Sequence, residues 1–213
     1  MTPQDASVKA REICEMAPVI PVLVVEDVAH AAPLARALVA GGLPALEVTL
    51  RTKAALDVIA QMADIDGGVV GAGTLLTPQD VIEAKAAGAR FGVSPGATPT
   101  LLAACEKADL PLLPGAATAS EAMALLERGY SVQKFFPAGA AGGPNLLKSL
   151  ASPLPQISFC PTGGVNPDNA DSYLSLANVL CVGGSWVAPK SMVQAGDWAG
   201  ITALAKTAAD LPR

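Results

Sequence analysis

Short apolar runs with strand chemistry recur along this chain about every 23 residues, and that even spacing constrains the fold more than any other feature. Eight such runs are expected as strands: 19–25, 45–51, 69–75, 91–96, 110–115, 131–138, 158–165 and 179–186. Between them lie Ala- and Leu-rich stretches opened by helix-start residues: Asp27, Thr52, Thr77-Pro78, Thr98-Pro99, Thr118 with Glu121 in the capping-box position, and Asn166-Pro167. Gly41-Gly42, Gly88 and Gly129 fall where these helices should stop. Eight alternating units in 213 residues predict an α/β fold, a (β/α)8 TIM barrel with an extra N-terminal helix over 2–17, all within one domain. A doubly wound open sheet is the main rival. It ranks lower because no G-x-G-x-x-G follows the first strand and the repeats are nearly even.

Composition narrows the function classes. A net charge of -5 without a basic cluster argues against nucleic acid. The longest apolar run, 16–25, is too short to span a bilayer and holds two prolines, so no membrane partner is expected. The N-terminus lacks a basic segment followed by an apolar one, which reads as a cytoplasmic protein. Cys14, Cys105, Cys160 and Cys181 show no C-x-x-C pairing and are expected as buried free thiols. His30 is the single histidine, which weighs against a His-based metal centre or a Ser-His-Asp triad. No metal is expected.

Lys134 is the one lysine of eight placed inside an apolar strand. Held between Val132 and Phe136, it should lose hydration, which disfavours the charged amine and prepares a nucleophile for a ketone. A strand lysine can instead snorkel to water. In the second strand Leu46, Val48 and Leu50 form one face, which must meet the helices of a parallel barrel, so Glu47, Thr49 and Arg51 point inward. Burying Glu47 and Arg51 is costly unless they pair with each other or are used. Gathered at one barrel mouth, these residues have the parts for Schiff-base carbon-carbon lyase chemistry. Lys134 would attack the ketone, Glu47 would move protons, and Arg51 would hold a substrate carboxylate. The last two strands end in Gly163-Gly164 and Gly183-Gly184-Ser185. These are the barrel positions where backbone N–H groups often receive phosphate, although double glycines also serve tight loops.

The segments Leu46-Glu47-Val48-Thr49-Leu50-Arg51-Thr52, Val70-Gly71-Ala72-Gly73-Thr74, Ser94-Pro95-Gly96, Lys134-Phe135-Phe136-Pro137-Ala138, Cys160-Pro161-Thr162-Gly163-Gly164 and Gly183-Gly184-Ser185-Trp186 resemble the class I 2-keto-3-deoxy-6-phosphogluconate (KDPG) aldolases. The likeness runs from about residue 18 to the C-terminus. It implies a cofactor-free, usually homotrimeric enzyme of the Entner-Doudoroff pathway, which cleaves that phosphorylated 2-keto acid to pyruvate and glyceraldehyde 3-phosphate. Family members often also cleave 4-hydroxy-2-oxoglutarate. By motif, the resemblance makes Lys134 the Schiff-base lysine, Glu47 the general acid/base, and Arg51 with Thr74 the pyruvate-carboxylate site. It assigns Thr162 and Phe136 to the pocket lining, Pro95 to its shape, and Gly163, Gly164, Gly184 and Ser185 to phosphate. Gly139 departs from the family's usual Glu and bears on the order of the loop after strand six. The chain is also similar, more weakly, to the 6-phosphogalactonate aldolases, and the Thr162 hydroxyl favours the gluconate epimer. A phosphate-binding barrel isomerase or synthase without an imine is the alternative from another class, and a non-catalytic metabolite-binding barrel a further one.

Overall fold

The computed structural model describes residues 1–213. Helix α1 (Pro3–Cys14) precedes β1 (Val19–Leu23), α2 (Ala31–Ala40), β2 (Ala45–Thr49), α3 (Ala55–Ala63), β3 (Val69–Gly73), α4 (Pro78–Ala86), β4 (Phe91–Val93) and α5 (Pro99–Lys107). There follow β5 (Leu112–Leu113), β6 (Gly115–Ala116), α6 (Ala119–Arg128), β7 (Val132–Phe135), α7 (Gly143–Ala151) and β8 (Ser158–Pro161). The chain ends with α8 (Ala170–Leu174), β9 (Val182–Gly184), α9 (Lys190–Ala195) and α10 (Trp198–Ala209). Every strand pair is parallel. One sheet has six strands in the order β5-β4-β3-β2-β1-β9, the other three in the order β6-β7-β8. Single bridges Phe159↔Val179 and Thr162↔Gly183 lie between β8 and the β9 region.

The expected eight strands are therefore nine. The run 110–115 divides at Pro114, which has no N–H to give to a ladder, so its first half joins β4 and its second half joins β7. The observed strands are also shorter than the apolar runs, because the last residues of several runs turn out of the ladder to form the loops at the C-terminal end.

Threonines start three helices as expected. Thr77 and Thr118 form capping boxes with Asp80 and Glu121, and Thr98 accepts from the Leu101 N–H. Asp27 caps only a 3-10 turn ahead of α2. Thr52 and Asn166 are not caps. The Thr52 hydroxyl donates to the Val25 carbonyl at 2.7 Å, and the Asn166 side chain accepts from Asp168 N–H in a local turn.

Strand alternation sorts the interior into two layers. Leu46, Val48, Val70, Ala72, Phe135 and Phe159 face the helices in the larger apolar cluster. Ile20, Ala45, Phe91, Val93, Leu113, Val132, Cys160 and Cys181 face inward, and Ala10, Ile13 and Cys14 of α1 pack against them. Helix α1 thus covers the strands' N-terminal ends. It is tied there by Ser7, whose hydroxyl accepts from Ser131 N–H and Val132 N–H at 2.9 Å each, and by Arg11, which donates to Ser158 Oγ at 2.9 Å. No helix is long and apolar enough to cross a membrane.

Candidate active site

With the N-terminal ends plugged, the inward residues of the C-terminal half define the site. β2 and β7 belong to different sheets, and they bring Glu47 and Lys134 together: Nζ lies 3.3 Å from Oε1, with the side chains 4% and 3% exposed. Lys134 is buried rather than snorkelled. Burial raises the Glu47 carboxyl above its usual value, and the neighbouring Lys134 charge opposes that shift without cancelling it. Glu47 is therefore disposed to hold a proton and to release it at short range. The Lys134 amine also lies 5.4 Å from the centroid of the Phe136 ring. Cys160, in register with Lys134 on β8, is buried beside the pair.

Arg51 lies beyond the end of β2, exposed, and its Nε donates to Thr74 Oγ1 at 3.2 Å. Thr74 adopts φ 63°, a left-handed conformation that is strained for a β-branched residue and aims its hydroxyl at the guanidinium. Arg51 makes no ion pair with Glu47, so the structural Glu-Arg pairing is not what accounts for either residue. Thr49, also inward, is spent on the fold: its hydroxyl donates to Leu23 O at 2.9 Å.

Thr162 is buried, and its Oγ1 has no hydrogen-bond partner, an orphan acceptor and donor at the level above Lys134. Pro95 and Phe136 are half-buried on the same rim. Gly163 and Gly164 take φ 92° and 82°, which an L side chain rarely adopts, and Gly163 lies under the Phe136 ring. The bridge from Thr162 to Gly183 places Gly184 and the exposed Ser185 beside this turn. At Gly139 the loop after β7 is held by its N–H donating to Gly163 O at 2.8 Å, so backbone supplies order where the side chain is missing.

Gly73 carried no role in the sequence reading, and Gly183 entered it only within the glycine turn considered for phosphate. Gly183 leaves room for Thr162, since a Cβ there would fall 2.3 Å from Thr162 Oγ1. Gly73 stands in the same relation to Glu47. Inward glycines facing inward polar residues on the next strand are the signal that could have found both.

An inward amine paired with an inward carboxyl, at the C-terminal ends of parallel strands and beside the Gly163-Gly164 turn, is an enzyme site for carbonyl chemistry. Residues 10–204 match the aldolase family described as KDPG and KHG aldolase. The chain is similar to the 2-dehydro-3-deoxy-phosphogluconate aldolase of Pseudoalteromonas atlantica, with 51% identity over 94% of each chain. It is similar to the crystal structure of the 2-keto-3-deoxy-6-phosphogluconate aldolase of Zymomonas mobilis ZM4 with 3-phosphoglycerate, at 48% identity and a TM-score of 0.93, covering 97% of this chain and 98% of that one. The Legionella pneumophila KDPG aldolase, with pyruvate captured at low pH as a covalent carbinolamine intermediate, shares 45% identity at a TM-score of 0.91 over 94% of this chain and 98% of that one. The chain belongs to the KDPG and KHG aldolase family.

Proposed function

We propose that the protein is a class I aldolase that cleaves 2-keto-3-deoxy-6-phosphogluconate to pyruvate and glyceraldehyde 3-phosphate, and that it also accepts 4-hydroxy-2-oxoglutarate. The buried pair of Lys134 Nζ and Glu47 Oε1 at 3.3 Å carries this reading. Lys134 passes a proton to Glu47 across the pair, its amine attacks the C2 ketone to give a carbinolamine, and Glu47 returns the proton with which water leaves. The resulting iminium accepts the electron pair of the C3–C4 bond as the C4 hydroxyl gives its proton to the Glu47 carboxylate and the aldehyde departs. Proton return to C3 of the enamine and addition of water then free pyruvate and the lysine. The carbinolamine captured in the Legionella relative is the first intermediate of this sequence.

The remaining assignments follow the charge of the substrate. Arg51 with the Thr74 hydroxyl receives the carboxylate, and Pro95 and Phe136 flank the methyl end. The unpartnered Thr162 hydroxyl meets a substrate hydroxyl and favours the gluconate over the galactonate epimer. The backbone N–H groups of Gly163 and Gly164, with Ser185 beyond Gly184 at the end of β9, take the phosphate, which gives a chain of net charge -5 a local site for an anion. The two sheets act as one closed eight-stranded barrel in a single domain, supported by the contiguity of β5 with β6 and by the two bridges at β8. The enzyme works in the Entner-Doudoroff pathway of the cytoplasm without metal or organic cofactor. It assembles as a homotrimer, to which the exposed Leu76, Ile82 and Met123 would offer apolar surface.

The test is borohydride reduction with pyruvate, read by peptide mass, alongside a coupled assay of pyruvate release after exhaustive chelation. One pyruvyl adduct on the Lys134 peptide and turnover of the gluconate substrate above its galactonate epimer are expected. Absence of both the adduct and pyruvate release would leave the isomerase or synthase reading instead, and pyruvate release without an adduct would remove the imine.

A further inference from the structure

We propose that Gly73 is a positioning residue for Glu47: the absence of a side chain at this point of β3 is what lets the Glu47 carboxyl lie against Lys134. The inference rests on Glu47 as the proton carrier proposed above. Glu47 is in register with Gly71, and its side chain leans along the strand so that its carboxyl crosses Gly73. A Cβ on Gly73 would lie 2.3 Å from Oε1, 2.7 Å from Cγ and 2.9 Å from Cδ of Glu47. All three nearest atoms belong to that one side chain.

Conformation does not explain this glycine, because Gly73 is absent from the residues with positive φ and any residue could adopt its backbone. Two of the directions open to Glu47 are already occupied. Below it, the space over Gly71 is filled by the Phe91 ring, whose atoms would lie 2.5 Å from a Cβ there, and across from it stands Lys134. A methyl group at 73 must therefore push the carboxyl off the amine. Misplacement of a catalytic group by about 1 Å can cost on the order of a hundredfold in rate.

The experiment compares kcat, KM and exchange of pyruvate methyl protons with deuterated water in Gly73→Ala, Glu47→Gln, Glu47→Asp and the double variant Gly73→Ala/Glu47→Asp. Gly73→Ala should lower kcat about a hundredfold and slow exchange in parallel, while KM stays near the wild-type value. Glu47→Asp shortens the side chain by one methylene, so it should slow the wild type but cost little or restore turnover in the Gly73→Ala background. A purely structural role for Gly73 would leave the two substitutions multiplicative, which overturns the proposal. If Gly73→Ala does not fold, the double variant should, because the collision is with Glu47 alone; failure of both to fold also overturns it. Undiminished turnover in Glu47→Gln would instead remove the proton-carrier role beneath the proposal, whereas a collapse there with wild-type kcat in Gly73→Ala would defeat the Gly73 inference alone.

Discussion

The two ends of the strands are built to opposite rules. At the N-terminal floor, paired polar side chains tie the elements together: Ser7 takes two backbone N–H groups, and Glu106 accepts from Arg128 Nε and Nη2 at 2.9 Å each and from the Tyr130 hydroxyl at 3.2 Å. At the C-terminal mouth a lysine and a glutamate are buried, Thr74 is strained, and the Thr162 hydroxyl has no partner. Two carboxyls make the contrast measurable. Burial raises Glu47, whereas hydrogen bonds from Arg128 hold Glu106 below its usual value. The orphan Thr162 hydroxyl, the buried lysine-glutamate pair and the left-handed Thr74 meet at the mouth, where substrate can relieve them, and the paired side chains of the floor contribute stability that tolerates them.

The largest effect that would sharpen this comparison is expected at Lys134. Lys134→Arg should reduce cleavage to background, because a guanidinium stays protonated and cannot attack, and no pyruvyl adduct should appear on reduction. Glu47→Gln keeps the shape and removes the base, so turnover should fall about a hundredfold to ten-thousandfold. The same variant tests the raised titration of the carboxyl. Because the native state holds a proton that the unfolded chain releases near 4.5, this group's contribution to stability is full below that pH and is lost as pH rises through the native titration. Urea unfolding across pH 5 to 8 should show a falling contribution in the wild type that is absent in Glu47→Gln, and equal slopes would contradict the shift.

Smaller effects are expected at the floor, and they should touch stability alone. Glu106 is depressed, so its contribution has the opposite sign: present above about 4.5 and lost as pH falls through the native titration. Glu106→Gln should cost about 1–2 kcal/mol at neutral pH and nothing in acid, with kcat unchanged, as read by unfolding at both pH values. Ser7→Ala leaves the Ser131 and Val132 N–H groups short of an acceptor and should cost about 1 kcal/mol, again without loss of turnover. A floor variant that damaged kcat at full stability would break the division.

Much of the mouth could be read from residue order because alternation is a property of the chain itself. Once Leu46, Val48 and Leu50 are assigned to the helices, Glu47 must point inward, and the unusual strand position of Lys134 does the same for the other partner. The motif strings then named Arg51, Thr74, Thr162 and the phosphate glycines. Register was not legible. Pro114 is visible in the sequence, but that it hands the chain from β4 to β7 depends on which neighbours lie on either side. Gly73 acquires its role only when Glu47 is seen to lean across it. The floor was the least legible part, because Ser7, Arg11, Glu106 and Arg128 look like the ordinary polar faces of helices, and their partners lie up to 147 positions away in the chain.

The plug made by α1 has a kinetic corollary. A vessel closed at its base has one doorway, so substrate, the water that ends the cycle and both products share a single route. In the proposed reaction the fragment bonded to Lys134 sits deepest, and the departing aldehyde lies between it and the exit. Traffic must then run in order, aldehyde out before water in and pyruvate last, and added aldehyde would obstruct the doorway even though it forms no bond to the lysine.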